Sequence, residues 1–422
     1  MKAKQYIEKN KNEIIELGRK LFKTPELGYK EFETKKILVD YFKKNDIEIE
    51  KEYFETGFSV SVGNGYPHIG LIAELDAIPT LGHKYANKND NNAAHSCGHS
   101  TQCAIFAACF VALAKQKIEN GKITLFFTPA EEYTDLEYKD ELIKEKKIKY
   151  YGGKINMLTS GIFSDVDILL HLHMKSESNY RFSVEGTLGG FVYKEITFNG
   201  KASHAAIAPD KGINALNAFA LFNNALNMLR ETYKEEDMVR VHGVIKDGGQ
   251  TINSIPEKVV YECYVRSIDQ NVMFETANKV DNAAKYCAKA LGASVKIKTK
   301  PGYLPFIQNK EINEVVYKNM LNYCTSEKIK KGSKSIASSD LGDVSAFIPS
   351  IEFGYGGFKG VAHSKDVEII DENRVYIETS KLVLDIIEDL LKDRTIYQNI
   401  KNNFKPQISM KKYRDYIDQN KK

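Results

Sequence analysis

The chain has 422 residues, which is more than most single hydrophobic cores contain, so its length predicts two domains. Apolar residues at 42% and charged residues at 27% are typical of a soluble globular protein. The 60 basic and 56 acidic residues nearly balance, which gives no reason to expect nucleic acid as a partner. The N-terminal stretch has no apolar core of signal-peptide length and no later apolar run is long enough to span a membrane, so we expect a cytoplasmic protein with no membrane partner. The six scattered cysteines should then be thiols.

The first elements lead to a pair of acids. Residues 11–46 predict two helices broken at 24–29, because apolar residues recur at helical spacing on both sides of the break. Segment 68–79 follows as an apolar strand that ends in Glu74 and Asp76 and is stopped by a proline. Such a strand can deliver acids to the carboxyl edge of a sheet, and a turn or capping aspartate is the alternative.

A cysteine and two histidines lie in the stretch 95–100, just before the apolar run 103–113, which predicts a helix. We expect Cys97 and His99 on an extended segment before that helix, where residues i and i+2 share a side. Together they could contribute to a metal site of the zinc type, although two ligands alone are too few. The alternative is a buried cysteine beside a hydrogen-bonded histidine.

The second buried strand, at 122–128, also ends at a proline and is followed by Glu131 and Glu132. Two adjacent glutamates at the end of a core strand suggest a division of roles, since one can bind a metal while its neighbour stays free as a base. The lysine- and glutamate-rich segment 134–150 that comes next predicts an exposed insertion.

A third strand, at 166–173, ends in two histidines. The two-residue period of a strand puts His171 and His173 on one face, so either could be a metal ligand while the other orients it. Far downstream, a glycine-rich loop supplies His363.

The order of these elements resembles the M20 family of metallopeptidases and amidohydrolases. The resemblance is closest to the amidohydrolase branch, which includes N-acyl-amino-acid, indole-acetyl-amino-acid and aminobenzoyl-glutamate hydrolases. Seven motifs carry it, in the family's order: Glu74-Leu75-Asp76-Ala77-Ile78-Pro79, His95-Ser96-Cys97-Gly98-His99, Pro129-Ala130-Glu131-Glu132, Leu172-His173, Gly200-Lys201-Ala202-Ser203-His204, Asn253-Ser254-Ile255-Pro256 and His363.

The resemblance implies one or two divalent metal ions per chain. The Cys97 thiolate would stand where other members use a bridging carboxylate. Zinc suits this mixture of thiolate, imidazole and carboxylate, and manganese, cobalt and nickel are alternatives. The implied metal ligands are Cys97, His99, Glu132, His173 and His363.

The resemblance also implies the catalytic roles. Glu131 would take a proton from the attacking water and pass it to the departing amine, and Asp76 would orient His99. His204 would stabilise the tetrahedral oxyanion, reaching the active site of the partner subunit. The residues implied to contact the substrate, an N-acyl amino acid or a dipeptide, are Asn253, Arg266 and Gly357.

The expected fold is α/β: an exopeptidase-like catalytic domain with a central mixed sheet between helices, and an inserted α+β ferredoxin-like domain. In the family, the inserted domain serves as a lid and makes the homodimer. The expected boundaries are 1–182 and 297–395 for the two parts of the catalytic domain, 183–296 for the lid, and 396–422 for a basic tail that forms a surface helix or a loose extension.

Two departures from the branch's usual pattern bear on function. Ser100 and Gln102 stand where the branch commonly has aspartate and histidine, which leaves open a catalytically quiet relative that binds a metal or a small ligand. Segment 338–345 resembles the aminobenzoyl-glutamate and dipeptide-cleaving members, which favours a dipeptide-like amide. A cysteine hydrolase that uses Cys97 is a further alternative, and it would be indifferent to metal.

Overall fold

The computed structural model describes residues 2–176 and 179–418. These residues form two compact units, each built from several segments of the chain. The first unit takes residues 2–186, 307–334 and 343–406, and the second takes 187–306, 335–342 and the chain from 407 onward. Among the helices of the described residues, none is both long and apolar enough to cross a lipid bilayer.

The secondary structure alternates between helices and short strands through most of the chain. The helices are α1 Lys2–Lys9, α2 Lys11–Phe22, α3 Phe32–Lys44, α4 His99–Gln116, α5 Leu136–Lys144, α6 Gly153–Thr159, α7 Ala215–Leu229, α8 Gln270–Ala290, α9 Lys310–Met320, α10 Leu341–Ser345, α11 Thr379–Lys392, α12 Arg394–Asn403 and α13 Met410–Ile417. The strands are β1 Lys51–Tyr53, β2 Gly57–Asn64, β3 His68–Glu74, β4 Ile78–Pro79, β5 Ala93–Ala94, β6 Gly121–Thr128, β7 Ile168–Met174, β8 Phe182–Val184, β9 Gly190–Asn199, β10 Arg240–Asp247, β11 Lys258–Ser267, β12 Ser294–Pro301, β13 Ile329–Lys331, β14 Ser350–Tyr355, β15 Phe358–Lys359 and β16 Glu368–Ile369.

The first unit is organised around an eight-stranded mixed sheet with the strand order β1-β2-β6-β3-β7-β14-β8-β13. Its four central strands, β6, β3, β7 and β14, are parallel to one another. Their carboxyl ends therefore lie along one edge of the sheet, where side chains from distant parts of the chain meet. This confirms the predicted α/β class with a mixed sheet.

Helix α4 lies against this sheet and is buried from His99 to Leu113. A helix that is apolar around its whole circumference belongs in a core, which explains why the run 103–113 has no polar face. Helices α1, α2 and α11 pack against it. The two predicted helices of segment 11–46 are α2 and α3, and the break between them falls where predicted.

The prediction of an exposed insertion at 134–150 was only partly correct, since Glu137, Glu141 and residues 144–147 are exposed whereas other side chains of the segment are buried. Helix α5 occupies most of this segment, and its Lys139 is completely buried, as is nearly all of Leu142. The high charge of the segment concealed this packing, because a buried lysine has the same local sequence pattern as a solvated one.

The second unit contains an antiparallel four-stranded sheet with the order β10-β11-β9-β12. Helix α7 follows the first of these strands in the sequence, and α8 follows the third. This β-α-β-β-α-β order is the ferredoxin-like arrangement. Strand β12 pairs with β9 along its whole length, so the sheet continues past residue 296 to Pro301. The C-terminal helix α13 also belongs to this unit and buries Tyr413 and Ile417.

Candidate metal and catalytic centre

The turn that carries the cysteine depends on a glycine. Gly98 has φ +84° and precedes α4, and a Cβ atom there would lie 2.6 Å from the Met174 side chain. His99 is the first residue of α4, so the expectation that it would lie on an extended segment was wrong. The tight turn nevertheless brings the side chains of Cys97 and His99 to the same site.

Two groups of possible metal ligands share the Cys97 sulfur. In each group, the ligand atoms lie within 4.8 Å of one another. The Cys97 Sγ is 3.3 Å from Nε2 of His173 and 3.3 Å from Nε2 of His363. The groups are Cys97, His99 and His173 on one side, and Cys97, Glu132 and His363 on the other. All five sequence-predicted ligands therefore lie together at the carboxyl edge of the sheet.

Asp76 contacts residues of both groups. The Nδ1 atom of His99 lies 2.9 Å from the Asp76 carbonyl oxygen and 3.3 Å from Asp76 Oδ1. Both neighbours are acceptors, so Nδ1 carries a proton and Nε2 keeps its lone pair for a metal when the ring is neutral. The other carboxylate oxygen, Oδ2, accepts a hydrogen bond from the Glu132 backbone N–H at 2.9 Å.

The Glu131–Glu132 pair follows β6 in an unusual backbone conformation. Ala130 has φ +51°, which is strained for a residue with a side chain. Its N–H donates to the buried carboxylate of Glu31 at 2.9 Å. Lys139 donates to the Glu132 carbonyl oxygen at 2.6 Å, so Glu31 and Lys139 fix the backbone on both sides of Glu131. The Glu131 carboxylate lies 4.0 Å from His99 Nε2.

The structure distinguishes between the two strand histidines, which the sequence could not do. His173 faces Cys97, and burial lowers its pKa to about 4, so its imidazole is neutral at pH 7, as a metal ligand requires. His171 instead lies between two carboxylates, with Nε2 3.2 Å from Glu74 and Nδ1 3.2 Å from Glu352.

Glu74 is the centre of a buried polar network. Its Oε1 atom pairs with the Lys154 ammonium at 2.6 Å, and both residues are at most 1% exposed. Its Oε2 atom accepts a hydrogen bond from the Gln102 amide at 3.0 Å. Burial opposes the charged form of Glu74, but Lys154, His171 and His99 outweigh it and hold its pKa well below the usual range.

The donor set fits divalent metal ions. Within the described residues, Glu132 Oε1 is buried without a hydrogen-bond partner, which is costly unless a cation is its partner. Burial raises the pKa of the Cys97 thiol well above its usual range, although His99 acts in the opposite direction. Burial also raises the pKa of Glu132. A divalent ion counteracts both effects, because it favours the thiolate and the carboxylate.

The loop that carries the fifth ligand is held by backbone contacts. His363 has φ +65°, and its N–H donates to the Ser96 carbonyl oxygen at 3.0 Å. Its Nε2 atom also lies 3.6 Å from Glu132. Gly357, predicted to contact the substrate, has φ +119°, and a Cβ atom there would lie 2.7 Å from the Val375 side chain.

His204, Asn253 and Arg266 belong to the second unit. The His204 ring is exposed, and its Nδ1 accepts hydrogen bonds from the backbone N–H groups of Ala206 and Ile207. Its Nε2 therefore carries the ring proton and is a hydrogen-bond donor. Asn253 is exposed, and its carbonyl oxygen accepts a hydrogen bond from the Ala205 N–H at 2.9 Å.

Arg266 is the third predicted substrate residue in this unit. Its guanidinium lies 5.2 Å from the ring centre of Phe191 and 5.0 Å from that of Tyr264. One of its nitrogens donates to the Ser338 hydroxyl at 3.0 Å. Burial lowers the pKa of Arg266, which nevertheless stays charged at neutral pH.

The model of peptidase family M20/M25/M40 matches residues 70–389, which is more than half of the chain. The chain belongs to this family. It is therefore a hydrolase, and the predicted resemblance is confirmed.

A human protein named Xaa-Arg dipeptidase is 23% identical over 453 aligned residues, which cover 99% of this chain and 94% of that protein. The N-acetyl-L-cysteine deacetylase of Bacillus subtilis (strain 168) is 25% identical over 315 residues, covering 72% of this chain and 71% of that protein. A solved Bacillus subtilis structure, described as a dinuclear metal-binding peptidase of the M20 family, has a TM-score of 0.69 at 19% identity. The structural match covers 90% of this chain and 98% of the Bacillus subtilis chain.

Several residues of this M20 site were missed from the sequence. Gln102 was noted only as a departure from the usual motif of the amidohydrolase branch, and in the structure its side-chain amide donates a hydrogen bond to the Glu74 carboxylate. Lys154 and Glu352 were not recognised as site residues, because each lies far along the chain from the residue that it contacts. The sequence signal for Lys154 was weak: it is the one charged residue in the stretch 150–164.

Proposed function

We propose that this protein is a metal-dependent hydrolase that cleaves the amide bond of N-acyl amino acids or dipeptides. The observation that carries this proposal is the pair of ligand groups that share Cys97, with the Glu131 carboxylate beside them. The names of two relatives, a dipeptidase and an N-acetyl-amino-acid deacetylase, support the two substrate classes.

Five residues would hold two divalent ions: Cys97, His99, Glu132, His173 and His363. When bound, such ions lower the pKa of a water molecule and polarise the substrate carbonyl. Zinc is our first expectation because of the thiolate and imidazole donors, with manganese, cobalt and nickel as alternatives. Asp76 keeps His99 in the tautomer that ligates and holds the Glu132 backbone in place.

Glu131 is the proposed general base. Its side chain is 9% exposed and lies beside His99, in reach of the proposed metal site. It accepts a proton from the attacking water and then donates that proton to the nitrogen of the departing amine as the C–N bond breaks. Fixing the Glu131 backbone through Ala130 reduces the freedom of this carboxylate before the reaction.

The second unit would supply substrate contacts. We propose that His204 donates from Nε2 to the developing oxyanion, since its other nitrogen accepts from two backbone N–H groups. Arg266 would bind the carboxylate of the amino acid with donors that Ser338 leaves free, and Asn253 would assist it. Gly357 would let the backbone approach the substrate closely.

We further propose a cytoplasmic homodimer that forms through this unit, with neither nucleic acid nor membrane as a partner. Strand β10 lies at the edge of the four-stranded sheet, and its Val244 and Ile245 are 59% and 48% exposed. An exposed edge strand with apolar side chains is suited to pairing with a second chain.

A cysteine hydrolase remains the second candidate, because the Cys97 sulfur lies 3.3 Å from each of two imidazoles. Burial counts against it, since the raised pKa of Cys97 keeps the metal-free thiol protonated and weakly nucleophilic. Such an enzyme would keep its activity in chelator, whereas the proposed metallohydrolase would lose it.

The test of the proposed mechanism is Glu131→Gln. We expect kcat to fall about 10²- to 10⁴-fold, which is the usual contribution of a general base, while the bound metal is unchanged. Glu137→Gln, an exposed glutamate on α5, is the matched control and should keep full activity. Undiminished turnover in Glu131→Gln would show that another residue is the base.

A further inference from the structure

The ion pair between Lys154 and Glu74 is buried directly behind the proposed metal site. Lys154 lies on α6, is completely buried, and its ammonium is 2.6 Å from Glu74 Oε1. The other carboxylate oxygen, Oε2, is 3.0 Å from the Gln102 amide and 3.2 Å from His171 Nε2. Three groups that are not proposed metal ligands thus hold this carboxylate in a single orientation.

Glu74 also lies within reach of a metal ion. Its Oε2 atom is 3.2 Å from His99 Nε2, which is the atom that would ligate an ion. A ligand atom from each of Glu74, His99 and Glu131 lies within 4.8 Å of the other two. Carboxylates are good ligands for zinc and manganese, so an unrestrained Glu74 would compete for a place on the ion.

A catalytic metal site needs an open position for water or substrate, whereas a structural site is closed by protein ligands. We propose that Lys154 is a positioning residue that holds Glu74 out of the metal coordination shell and thereby keeps that position open. This inference rests on the proposed metallohydrolase function. In the wild type, Glu74 then serves as an acceptor for the buried network, and the five residues named above would be the only protein ligands of the two ions.

The inference predicts an unusual pair of effects for Lys154→Met. Without the ammonium, Glu74 gains a ligand bond to the ion, so metal binding becomes tighter while kcat falls about 10- to 100-fold, whereas loss of an ordinary partner outside the coordination shell weakens metal binding by about that factor. A merely structural role for Lys154 predicts the opposite effect on affinity, because a disordered site binds metal more weakly. The direction of the change in metal affinity therefore separates the two explanations.

The experiment uses the full-length protein, stripped with chelator and titrated with Co²⁺ alone. Affinity is measured by competition with a chelator of known affinity, and the visible absorption of bound Co²⁺ reports its coordination number. We expect Lys154→Met to bind Co²⁺ more tightly, with the weaker absorption of a higher-coordinate ion, and Lys154→Arg to return both values toward wild type. In a Glu74→Gln background, Lys154→Met should leave the Co²⁺ affinity unchanged, since the released ligand is absent.

If the wild-type protein binds Co²⁺ and is active, unchanged or weaker Co²⁺ binding by folded Lys154→Met would overturn this inference alone. A wild-type protein that binds no Co²⁺ would overturn the proposed function and the inference together. If Lys154→Met does not fold, Lys154→Gln makes the comparison in a weaker form, because its amide can donate to Glu74 but lacks the charge that holds the carboxylate, so a smaller gain in Co²⁺ affinity is expected.

Discussion

Replacing Asp76 with asparagine tests how the chain orients its metal ligands. The carboxylate is completely buried, and its two oxygens face two donors, the Glu132 N–H at 2.9 Å and His99 Nδ1 at 3.3 Å. An asparagine has the same shape but only one oxygen, so it can accept from one donor and must turn its NH₂ group toward the other.

The size of the effect follows from these contacts. Loss of a partner that orients a ligating histidine costs about 10- to 100-fold in metal affinity, or about 1.4–2.7 kcal/mol. The Asp76 carbonyl oxygen still accepts from His99 Nδ1 at 2.9 Å in the variant, so the ring is not released completely. We therefore expect Asp76→Asn to raise the metal Kd about tenfold, near the lower end of that range.

The assay is competition between chelator-stripped protein and a fluorescent chelator for Zn²⁺ or Mn²⁺. The matched control is Asp281→Asn in the second unit, where the aspartate pairs with Lys194 at 2.6 Å. This control changes the same chemical group in an ion pair that no proposed ligand contacts, and it should leave the metal Kd unchanged. If Asp76→Asn binds metal as tightly as wild type, the orienting role of Asp76 is refuted.

Three further predictions follow from the same contacts. Arg266→Lys should raise KM about tenfold with a smaller change in kcat, because a lysine cannot form the paired contacts of a guanidinium; an unchanged KM would remove it from the substrate site. Burial and the charge of Asp76 raise the pKa of Glu31 to about 8. The folded state therefore binds more protons than the unfolded state between pH 4.5 and 8, and the free energy of unfolding should fall as pH rises, by at most about 1.4 kcal/mol per pH unit. In urea melts of metal-free protein, Glu31→Gln should reduce this slope, and an equal slope in both proteins would contradict the assignment. Val244→Lys should dissociate the proposed dimer in sedimentation experiments, whereas a dimer that persists would place the interface elsewhere.

The sequence was informative where function depends on local patterns. Each of the strands before Glu131 and His173 is apolar and ends at a polar group, so its position at the carboxyl edge of a parallel sheet could be inferred. The turn at Cys97 was also visible as a motif. The start of α4 at His99 was not, because polar residues at 99–102 hide the beginning of a helix that is buried on all sides.

The sequence was uninformative where contacts between residues far apart in the chain determine the role of a side chain. Glu74 and Lys154 are 80 residues apart, and only the packing of α6 near β3 makes their charges a pair. Lys139 likewise gains its role from the Glu132 carbonyl oxygen. A lysine is seldom buried, so the sequence favours a solvated surface position for both residues. The free-energy cost of burying their charges is offset only by a polar partner, and the sequence does not show which residue that partner is.

The most direct test of the central claim is release of free amine from a panel of N-acyl amino acids, aminobenzoyl-glutamate and dipeptides. The protein is stripped with chelator and then resupplied with zinc, manganese, cobalt or nickel. Our account predicts no release from the stripped protein and restored release with at least one metal, in proportion to the metal bound at up to two ions per chain. Release that persists in chelator, or no release from protein shown to carry metal, would contradict it.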